Sequence, residues 1–288
     1  MIDTQHFDVL VVGGGHAGAE AAAAAARMGA KTVLLTNKVD DIGQMSCNPA
    51  IGGIGKSHLV AEIDALDGVM SRATDRAGIH YRILNKSKGP AVRALRVQTD
   101  RKLYRKAVQE ILQEHENLVI RQESVLEILT EGDKAIGCSV NSGRAYFAEA
   151  VILTAGTFLA GKIHIGDLQT PGGRVGEPAS SALAETMRGM PFRAGRLKTG
   201  TPPRLKSDSI NFEILEKQYS DDVAPNMSAR SRRKERPLQI SCFITHTNVD
   251  THKIIEDNIL SSAMYSGAIE GVGPRYCPSI EDKINRFA

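Results

Sequence analysis

Three glycines near the start of the chain have the spacing of a turn that binds phosphate groups. Gly13, Gly15 and Gly18 follow the apolar run 9–12, and an alanine-rich segment comes directly after them. A strand, this turn and a helix, in that order, direct free backbone N–H groups and the positive end of a helix dipole at a dinucleotide pyrophosphate. The spacing therefore predicts a dinucleotide-binding βαβ unit. The alternative is a turn of the same shape that binds no dinucleotide.

The residue that usually binds the ribose of the dinucleotide is replaced in this chain. The second strand of the unit is predicted over 31–36, and an acidic residue normally ends it, where it binds the ribose hydroxyls. Thr36 and Asn37 occupy that place. A neutral side chain forms a weaker hydrogen bond than a carboxylate, so we expect Asn37 to contact the ribose weakly.

Two cysteines lie in glycine- and proline-rich loops and are candidates for nucleophilic chemistry. Cys47 precedes a predicted helix start near Lys56, and Cys277 lies in a second such loop. Loops often carry functional residues, and a nearby cation or helix N-terminus favours the thiolate form of a cysteine. The alternative is a loop cysteine with no chemical role. Cys138 and Cys242 lie in strand patterns and are expected to be buried packing residues.

The segment 50–57 resembles a degenerate phosphate-binding P-loop, with Gly55, Lys56 and Ser57 at its end. A true P-loop follows a strand, and the residues before this one show no strand pattern. We therefore interpret the segment as a glycine-rich loop whose N–H groups approach a cofactor or substrate phosphate. A plain loop-to-helix turn is the alternative.

A basic stretch lies between Arg82 and Lys106, where only Asp100 carries a negative charge. The net charge of the whole chain is only +3, so this density of cations is local and typical of a surface that binds a polyanion. A solvated helix face is the alternative. The candidate residues for contact with a polyanion, RNA included, are Arg82, Lys86, Lys88, Arg93, Arg96 and Arg101.

Composition limits the class of protein. A chain of 288 residues with 42% hydrophobic and 24% charged residues can form one large or two modest globular domains. Its four cysteines form no C-x-x-C pair, so neither a metal site nor a dithiol redox site is predicted. No signal peptide and no apolar run of about 20 residues is found, which indicates a cytoplasmic protein with no membrane partner.

The order of predicted elements favours FAD over NAD at the first site. A helix is predicted over 98–115, with Leu103 and Ile111 on its buried face. Short alternating strands follow, forming a meander over about 122–148, with its last strand at 145–147 and a separate buried strand at 150–154. This order is typical of flavoproteins that bind two dinucleotides. We therefore predict an α/β, Rossmann-type FAD-binding fold of that kind with an inserted α+β domain.

Domain boundaries are predicted from changes in composition. An FAD-binding domain is expected over 1–200, an inserted second domain over 201–272, and the start of a return to the first domain over 273–288. Within the second domain, we expect a mobile basic loop at 230–236, a strand at 238–245 and a helix at 253–264. The last residues resemble the beginning of a helix without a C-cap, so we expect this sequence to be the N-terminal part of a longer protein.

Seven strings of the sequence are similar to the GidA/MnmG family, which comprises bacterial FAD-dependent enzymes that modify the wobble uridine of certain tRNAs. The strings are GGGHAG (13–18), GQMSCNPAIGGIGK (43–56), ILNKSKGPAVRALR (83–96), GTFLAGKIHIG (156–166), GRLKTGTPPR (195–204), ITHTN (244–248) and EGVGPRYCPSIEDK (270–283). They span nearly the whole chain, and members of the family are longer than it.

The resemblance implies site residues as well as cofactors. Cys47 and Cys277 match cysteines that the family is thought to need for catalysis. FAD contacts are implied at Gly13, Gly14, Gly15, His16, Ala17, Gly18, Val125 and Ser180. NAD contacts are implied in the segment 273–287, at Gly273, Pro274, Arg275, Tyr276 and Phe287.

The resemblance also implies a reaction and partners. A carboxymethylaminomethyl or aminomethyl group would be added to uridine C5, with methylenetetrahydrofolate as co-substrate, glycine or ammonium as amine donor, and NADH to reduce the flavin. A homodimer would assemble with a GTPase partner of the MnmE type into a heterotetramer. Thiolate addition to uracil C6 would activate C5. The alternatives are a folate- and FAD-dependent tRNA uridine methyltransferase and a catalytically incomplete RNA-binding fragment.

Overall fold

The computed structural model describes residues 4–198, 200, 204–232, 236–269 and 279–287. In chain order, the strands are β1 (Thr4–Val12), β2 (Thr32–Thr36), β3 (Ala50–Gly52), β4 (Gly78–Leu84), β5 (Ala94–Thr99), β6 (Leu118–Gln122), β7 (Val125–Glu131), β8 (Lys134–Val140), β9 (Ala145–Leu153), β10 (Lys162–Ile165), β11 (Leu168–Pro171), β12 (Glu216–Gln218) and β13 (Cys242–Ile244). The helices are α1 (His16–Arg27), α2 (Lys56–Ala65), α3 (Val69–Ala77), α4 (Arg101–Gln113), α5 (Ser181–Gly189), α6 (Val249–Asp257) and α7 (Ile280–Phe287).

The main sheet has six strands in the order β6-β2-β1-β9-β8-β7. The first four are parallel, and β7, β8 and β9 form the antiparallel meander. This arrangement confirms the predicted α/β class with a parallel sheet. The two strands predicted at 145–147 and 150–154 are one strand, β9, and that prediction was wrong. The reason is that β1 offers a parallel partner along the whole of β9, from the Thr4–Ala145 pair to the Val12–Leu153 pair.

Both faces of this sheet are covered, as expected of a parallel sheet. In β1, Val11 points to the cluster that includes residues of α1, α3 and α4. Its neighbours Leu10 and Val12 point to the opposite cluster, formed by the meander and by Leu183 of α5. This alternation follows the two-residue period of a strand, and it explains why the end of β1, residues 9–12, is an unbroken apolar run.

Helix α1 is alanine-rich because it packs very close to the sheet. Ala19, Ala22, Ala23 and Ala26 are almost completely buried, and larger side chains there would separate the helix from the strands. The helix ends at Arg27, and Gly29 then adopts a φ of +91°, a left-handed conformation that glycine accepts without strain.

The helix predicted over 98–115 is α4, which is shorter. The Asp100 side chain accepts hydrogen bonds from the N–H groups of Lys102 and Leu103, at 2.8 and 2.9 Å, and this N-cap sets the start of the helix. Leu103, predicted to be buried, has 42% of its surface exposed. The buried side chain on that turn is Tyr104, whereas Ile111 is buried as predicted, so the predicted face is wrong only at Leu103.

A second, antiparallel sheet has the order β3-β5-β4, and several described residues after 217 hydrogen-bond to β4. The N–H of Asp221 donates to the carbonyl of Tyr81 at 2.8 Å, and the N–H of Ile240 donates to the carbonyl of Ile79 at 2.7 Å. These bonds connect the predicted second domain to residues of the first. The domain boundaries stay predictions, and Pro202 and Pro203 lie outside the described residues.

The other elements predicted after residue 200 differ in extent. The strand expected at 238–245 is only the three residues of β13, which pair with β12. The helix expected at 253–264 begins earlier, at Val249, because Asn248 caps it through the N–H of Thr251 at 2.8 Å. The predicted mobility of the loop 230–236 does not hold at its last residue. The guanidinium of Arg236 hydrogen-bonds to Asn226 and lies 3.8 Å from the ring centroid of Tyr81. Residues 233–235 lie outside the described residues.

Two kinds of feature are absent from the described residues. No described helix has the length and apolarity to span a membrane. No group of three or more metal-binding side chains occurs in the described part of the chain.

Candidate functional site

The glycine turn lies at the carboxyl ends of β1, β2 and β9. Gly13 has a φ of +108°, and a Cβ on it would lie 2.6 Å from the carbonyl oxygen of Thr154. A Cβ on Gly14 would lie 2.7 Å from the Thr36 hydroxyl. The turn is therefore wedged between the ends of its two neighbouring strands, and only glycine fits at either position.

Gly15 differs from its two neighbours because it faces open space. A Cβ on Gly15 would meet no atom within 4 Å, and Gly15 is the N-cap of α1. At Gly18, a Cβ would lie 1.8 Å from the Gly13 carbonyl oxygen, so this glycine allows the helix to pack against the turn. Open space at a helix N-terminus, bordered by unblocked N–H groups, is what a pyrophosphate needs. The turn therefore fits the phosphates of FAD.

The two residues between these glycines have different environments. Ala17 is exposed, whereas His16 is half-buried. The ring of His16 lies 5.6 Å from that of Tyr104, and its Nε2 is buried and without a hydrogen-bond partner among the described residues. Burial lowers the pKa of His16, so the imidazole is neutral at pH 7 and adds no positive charge to the turn.

The other predicted FAD-contacting residues lie around this edge of the sheet. Asn37 is exposed directly after β2, where a ribose would lie. Ser180 is the N-cap of α5, and its hydroxyl makes no capping bond, which leaves the oxygen able to contact a ligand. The Val125 side chain is 7% exposed and packs in the apolar cluster with the meander, so only its backbone can reach a cofactor.

Asp41 is a site residue that the sequence reasoning missed. Its carboxylate is 3.8 Å from Lys38 Nζ and 3.7 Å from the guanidinium nitrogens of Arg105 and Arg174. Arg174 also binds Glu177 at 2.8 Å. Asp41 thus connects the loop after β2 to α4 and to the loop before α5. No local pattern could have predicted this, because two of the three partners are distant in the sequence.

Cys47 is half-buried in the loop before β3. Its carbonyl oxygen accepts a hydrogen bond from the guanidinium of Arg101, at the start of α4. The expected helix N-terminus near Lys56 is separated from Cys47 by β3, so α4 is the helix that contacts this loop. No strand directly precedes the segment 50–57, as predicted, but its first three residues form β3. Because β3 pairs in an antiparallel sheet, a P-loop, which follows a parallel strand of an α/β unit, is still not formed.

The other cysteines are placed differently. Cys138 is fully buried in β8, as predicted, and burial raises its pKa to about 12, with the charge of Glu123 adding to the effect. Cys242 in β13 is only half-buried. Cys277 and the predicted NAD-contacting residues Gly273, Pro274, Arg275 and Tyr276 lie outside the described residues. Phe287 is the last residue of α7.

The basic stretch divides into parts with different partners. Arg82 and Lys86 each lie 2.8 Å from one carboxylate oxygen of Asp221. Burial would raise the pKa of Asp221, but the bond from the Ile83 N–H and these two cations lower it, so this carboxylate is charged and neutralises part of the stretch. Arg101 is engaged with Cys47.

The remaining cations of the stretch are more accessible. Lys88 and Arg93 are exposed in the loop between β4 and β5, where Arg93 Nε donates to the Lys88 carbonyl at 3.2 Å. Arg96 lies in β5, directly opposite Arg82 in the pairing with β4. The candidate RNA-contacting residues are therefore not equivalent, and the exposed loop holds the most available charges.

Comparison with known proteins gives consistent matches. A sequence model of the family described as glucose inhibited division protein A matches residues 8–288. The structure is similar to GidA from Aquifex aeolicus in its form I crystal, with 48% identity and a TM-score of 0.90 over 98% of this chain and 48% of that chain. For the form II crystal, the values are 46% identity, a TM-score of 0.88, and coverage of 98% and 46%. The chain spans about half the length of these relatives.

Proposed function

This chain belongs to the glucose inhibited division protein A family, and on that premise we propose that it is the FAD-binding part of an enzyme that modifies tRNA. The observation that carries the proposal is the open space at Gly15, at the N-terminus of α1. It supports an anionic dinucleotide there, because protein atoms closely surround the other glycines of the turn, Gly13, Gly14 and Gly18. The family membership supports the choice of tRNA as substrate.

In this proposal, the chain's own residues hold the cofactor at the carboxyl edge of the sheet. The N–H groups of the turn and the N-terminus of α1 bind the pyrophosphate, Asn37 contacts the ribose, and the Ser180 hydroxyl makes a further contact to the cofactor. Asp41 and Arg174 join the two loops that border this region. FAD, when bound, supplies oxidation–reduction and one-carbon transfer chemistry.

Cys47 is the proposed nucleophile among the described cysteines. Uracil C5 is a poor nucleophile, and attack of the thiolate on C6 forms a sulfur–carbon bond while the C5–C6 π electrons move toward O4. The resulting enolate makes C5 nucleophilic. After substitution at C5, loss of the C5 proton restores the double bond and expels the sulfur. Arg101 fixes the Cys47 backbone. Cys277 remains the alternative nucleophile.

The finer features of the reaction follow the family resemblance. We propose addition of a carboxymethylaminomethyl or aminomethyl group to C5 of the wobble uridine. Methylenetetrahydrofolate would supply the one-carbon unit, glycine or ammonium the amine, and NADH the electrons that reduce the flavin. The partners would be a second copy of the chain and a GTPase of the MnmE type. The exposed cations Lys88 and Arg93 would contact RNA phosphates, and such contacts weaken with salt.

The first experiment is a visible absorbance spectrum of the purified chain with and without added FAD and NADH. Saturable FAD uptake and bleaching by NADH are expected. A chain that never takes up FAD would contradict cofactor binding by this part of the protein.

In the full-length enzyme, Cys47→Ser should keep the flavin colour but no longer produce the modified nucleoside, which mass spectrometry detects. Methylated uridine without amine in the wild type would favour the methyltransferase alternative.

A further inference from the structure

A basic concavity lies at the opposite end of α1 from the glycine turn. It measures about 410 Å³ and is lined by Asp67, Arg72, Arg76, Arg230 and Ser231. Arg27, the last residue of α1, pairs with Asp67 at 3.6 Å. Since α1 has 12 residues and a helix rises about 1.5 Å per residue, this concavity is roughly 18 Å from the glycine turn. It is therefore separate from the candidate cofactor site.

We infer that this concavity binds a phosphate group of the RNA backbone. Three of its five lining residues are arginines and one is an aspartate. The guanidinium group is planar and always charged, and its N–H groups match the oxygens of a phosphate in pairs. The inference rests on the proposed function, because RNA is the source of phosphate that the function supplies.

The arginines reach the concavity from parts of the chain that are far apart. Arg72 and Arg76 lie on α3, whereas Arg230 lies in the segment after residue 224. Two buried carboxylates hold that segment in place. Asp75 accepts the N–H groups of Met227 and Ser228, each at 2.8 Å. Asp64 accepts the N–H of Ala229 at 3.1 Å.

This arrangement holds Arg230 in position beside α3 even when no ligand is bound. Asp75 and Asp64 are 2% and 9% exposed, so their bonds to the segment are shielded from water. A side chain positioned in advance loses less conformational entropy on binding. Binding of an anion therefore requires little further loss of conformational entropy from the Arg230 segment.

The carboxylates near the concavity set how much positive charge is available. Glu114 binds Arg72 at 2.8 Å and Arg76 at 3.3 Å. Burial would raise the pKa of Glu114, but the two arginines lower it, so one carboxylate is shared by two cations. Asp67 is likewise shared, between Arg27 and Arg230. Arg76 also lies 3.8 Å from Glu110, which Lys106 shares. These surface carboxylates are therefore each divided between two cations, so the guanidinium groups that line the concavity are only partly neutralised.

Asp67 competes with the proposed ligand for Arg230, and this gives a variant that should strengthen binding. Asp67 has a φ of +67°, a left-handed conformation that asparagine accepts well. Asp67→Asn therefore keeps the backbone while it removes the competing charge. An increase in affinity cannot result from partial unfolding, so it isolates the charge effect.

The experiment measures binding of the 288-residue chain to a fluorescent tRNA transcript at several salt concentrations. Arg230→Gln should weaken binding by about tenfold, since a charged hydrogen bond contributes about that much. It should also lower the slope of log K against log salt by about 0.7 to 0.9. Asp67→Asn should tighten binding severalfold. The matched controls are Arg188→Gln and Asp133→Asn, both exposed elsewhere, and circular dichroism checks the folding of each variant.

The outcomes separate this inference from the proposed function. If tRNA binds the wild type and neither Arg230→Gln nor Asp67→Asn changes the affinity or the slope, the inference is overturned and RNA binding lies elsewhere. If the wild type binds no tRNA, RNA binding by this part of the protein and this site fail together.

A third arm adds inorganic phosphate at constant ionic strength. If phosphate raises the melting temperature of the wild type but not of Arg230→Gln, while tRNA affinity is the same in both, the site takes free phosphate and the RNA assignment is wrong.

Discussion

Thr154 Oγ1 lies 3.1 Å from the carbonyl oxygen of Gly13 and donates a hydrogen bond to it. The same hydroxyl lies 2.8 Å from the carbonyl oxygen of Val12. Thr154 directly follows β9, 141 residues after Gly13 in the sequence. The end of the meander therefore holds the glycine turn in place, and the two halves of the candidate cofactor site depend on each other.

We expect Thr154→Val to loosen the turn. Valine keeps the shape of the side chain but leaves two carbonyl oxygens without this donor, which costs about 1 kcal/mol of unfolding free energy. FAD should also dissociate faster. Urea unfolding and flavin release measure the two effects. The control is Thr130→Val on the exposed side of β7, where a change below about 0.5 kcal/mol is expected. An equal loss in both variants would show that Thr154 has no special role.

Gly15→Ala should abolish FAD binding and leave the fold intact. Gly15 has a φ of −72°, which alanine adopts readily, and the added Cβ would enter the open space where the pyrophosphate is expected. The measurements are the flavin spectrum and the melting temperature. Gly189→Ala is a matched control, because a Cβ there also meets no atom within 4 Å. FAD uptake by Gly15→Ala equal to that of the wild type would place the cofactor elsewhere.

Short-range sequence patterns were sufficient to predict the part of the candidate site that would hold the cofactor. The glycine turn, α1, β2 and the first two strands of the meander follow from short-range signals: turn residues, an alanine-rich stretch and alternating apolar residues. Helix α4 was also predicted, and its buried face was correct except at Leu103, which is exposed. These are elements whose conformation neighbouring residues decide.

What the sequence could not predict depends on partners far along the chain. Asp221 neutralises Arg82 and Lys86 from 135 or more residues away, so a basic stretch that looks uniform is not. Residues 228 and 229 directly precede the loop predicted to be mobile at 230–236, and Asp75 and Asp64 hold their backbone through long-range bonds. A pattern reports charge and polarity, but burial and pairing are properties of the folded chain.

The described cysteines should differ in their reactivity toward iodoacetamide. Cys138 is fully buried, and its raised pKa of about 12 keeps the thiol protonated. Burial also raises the pKa of Cys242, although the nearby charge of Arg96 opposes the effect. We expect Cys47 to be labelled first, Cys242 more slowly and faster at higher pH, and Cys138 only after denaturation. Peptide mass spectrometry gives the order. Labelling of Cys138 at the rate of Cys47 would mean that the meander opens.

Neutralising the exposed loop between β4 and β5 should weaken RNA binding. Lys88→Gln with Arg93→Gln removes two charges that no described carboxylate pairs with, and we expect the salt slope to fall by about 1.5 in total. The measurement is tRNA affinity against salt. The control is Lys134→Gln with Lys162→Gln, which removes the same charge from exposed hairpins elsewhere. If both pairs lower the slope equally, RNA responds only to net charge and not to this loop.

The protein should lose stability as the pH falls below neutrality. Burial lowers the pKa of His16, His80 and His115 from the ordinary value of 6.5, and the charges of nearby arginines lower those of His80 and His115 further. Below pH 6.5 the unfolded chain therefore binds more protons than the folded chain, and the free energy of unfolding falls. The full contribution is present above pH 6.5 and is lost progressively toward the lower folded-state pKa values.

Urea unfolding at pH 7.5, 6.5 and 5.5 tests this expectation and the share of His80. Its Nε2 lies 3.0 Å from the carbonyl oxygen of Gln218, and the side chain is 3% exposed, so protonation would place a charge in a buried contact. His80→Asn removes up to one proton from the difference between the unfolded and folded chains. The free energy of unfolding should then change less steeply with pH, by up to about 1.4 kcal/mol per pH unit. His58→Asn, at an exposed site, should leave the wild-type dependence. A wild-type stability that rises as the pH falls from 7.5 to 5.5 would contradict the direction, because buried neutral histidines can only favour the folded state at the higher pH.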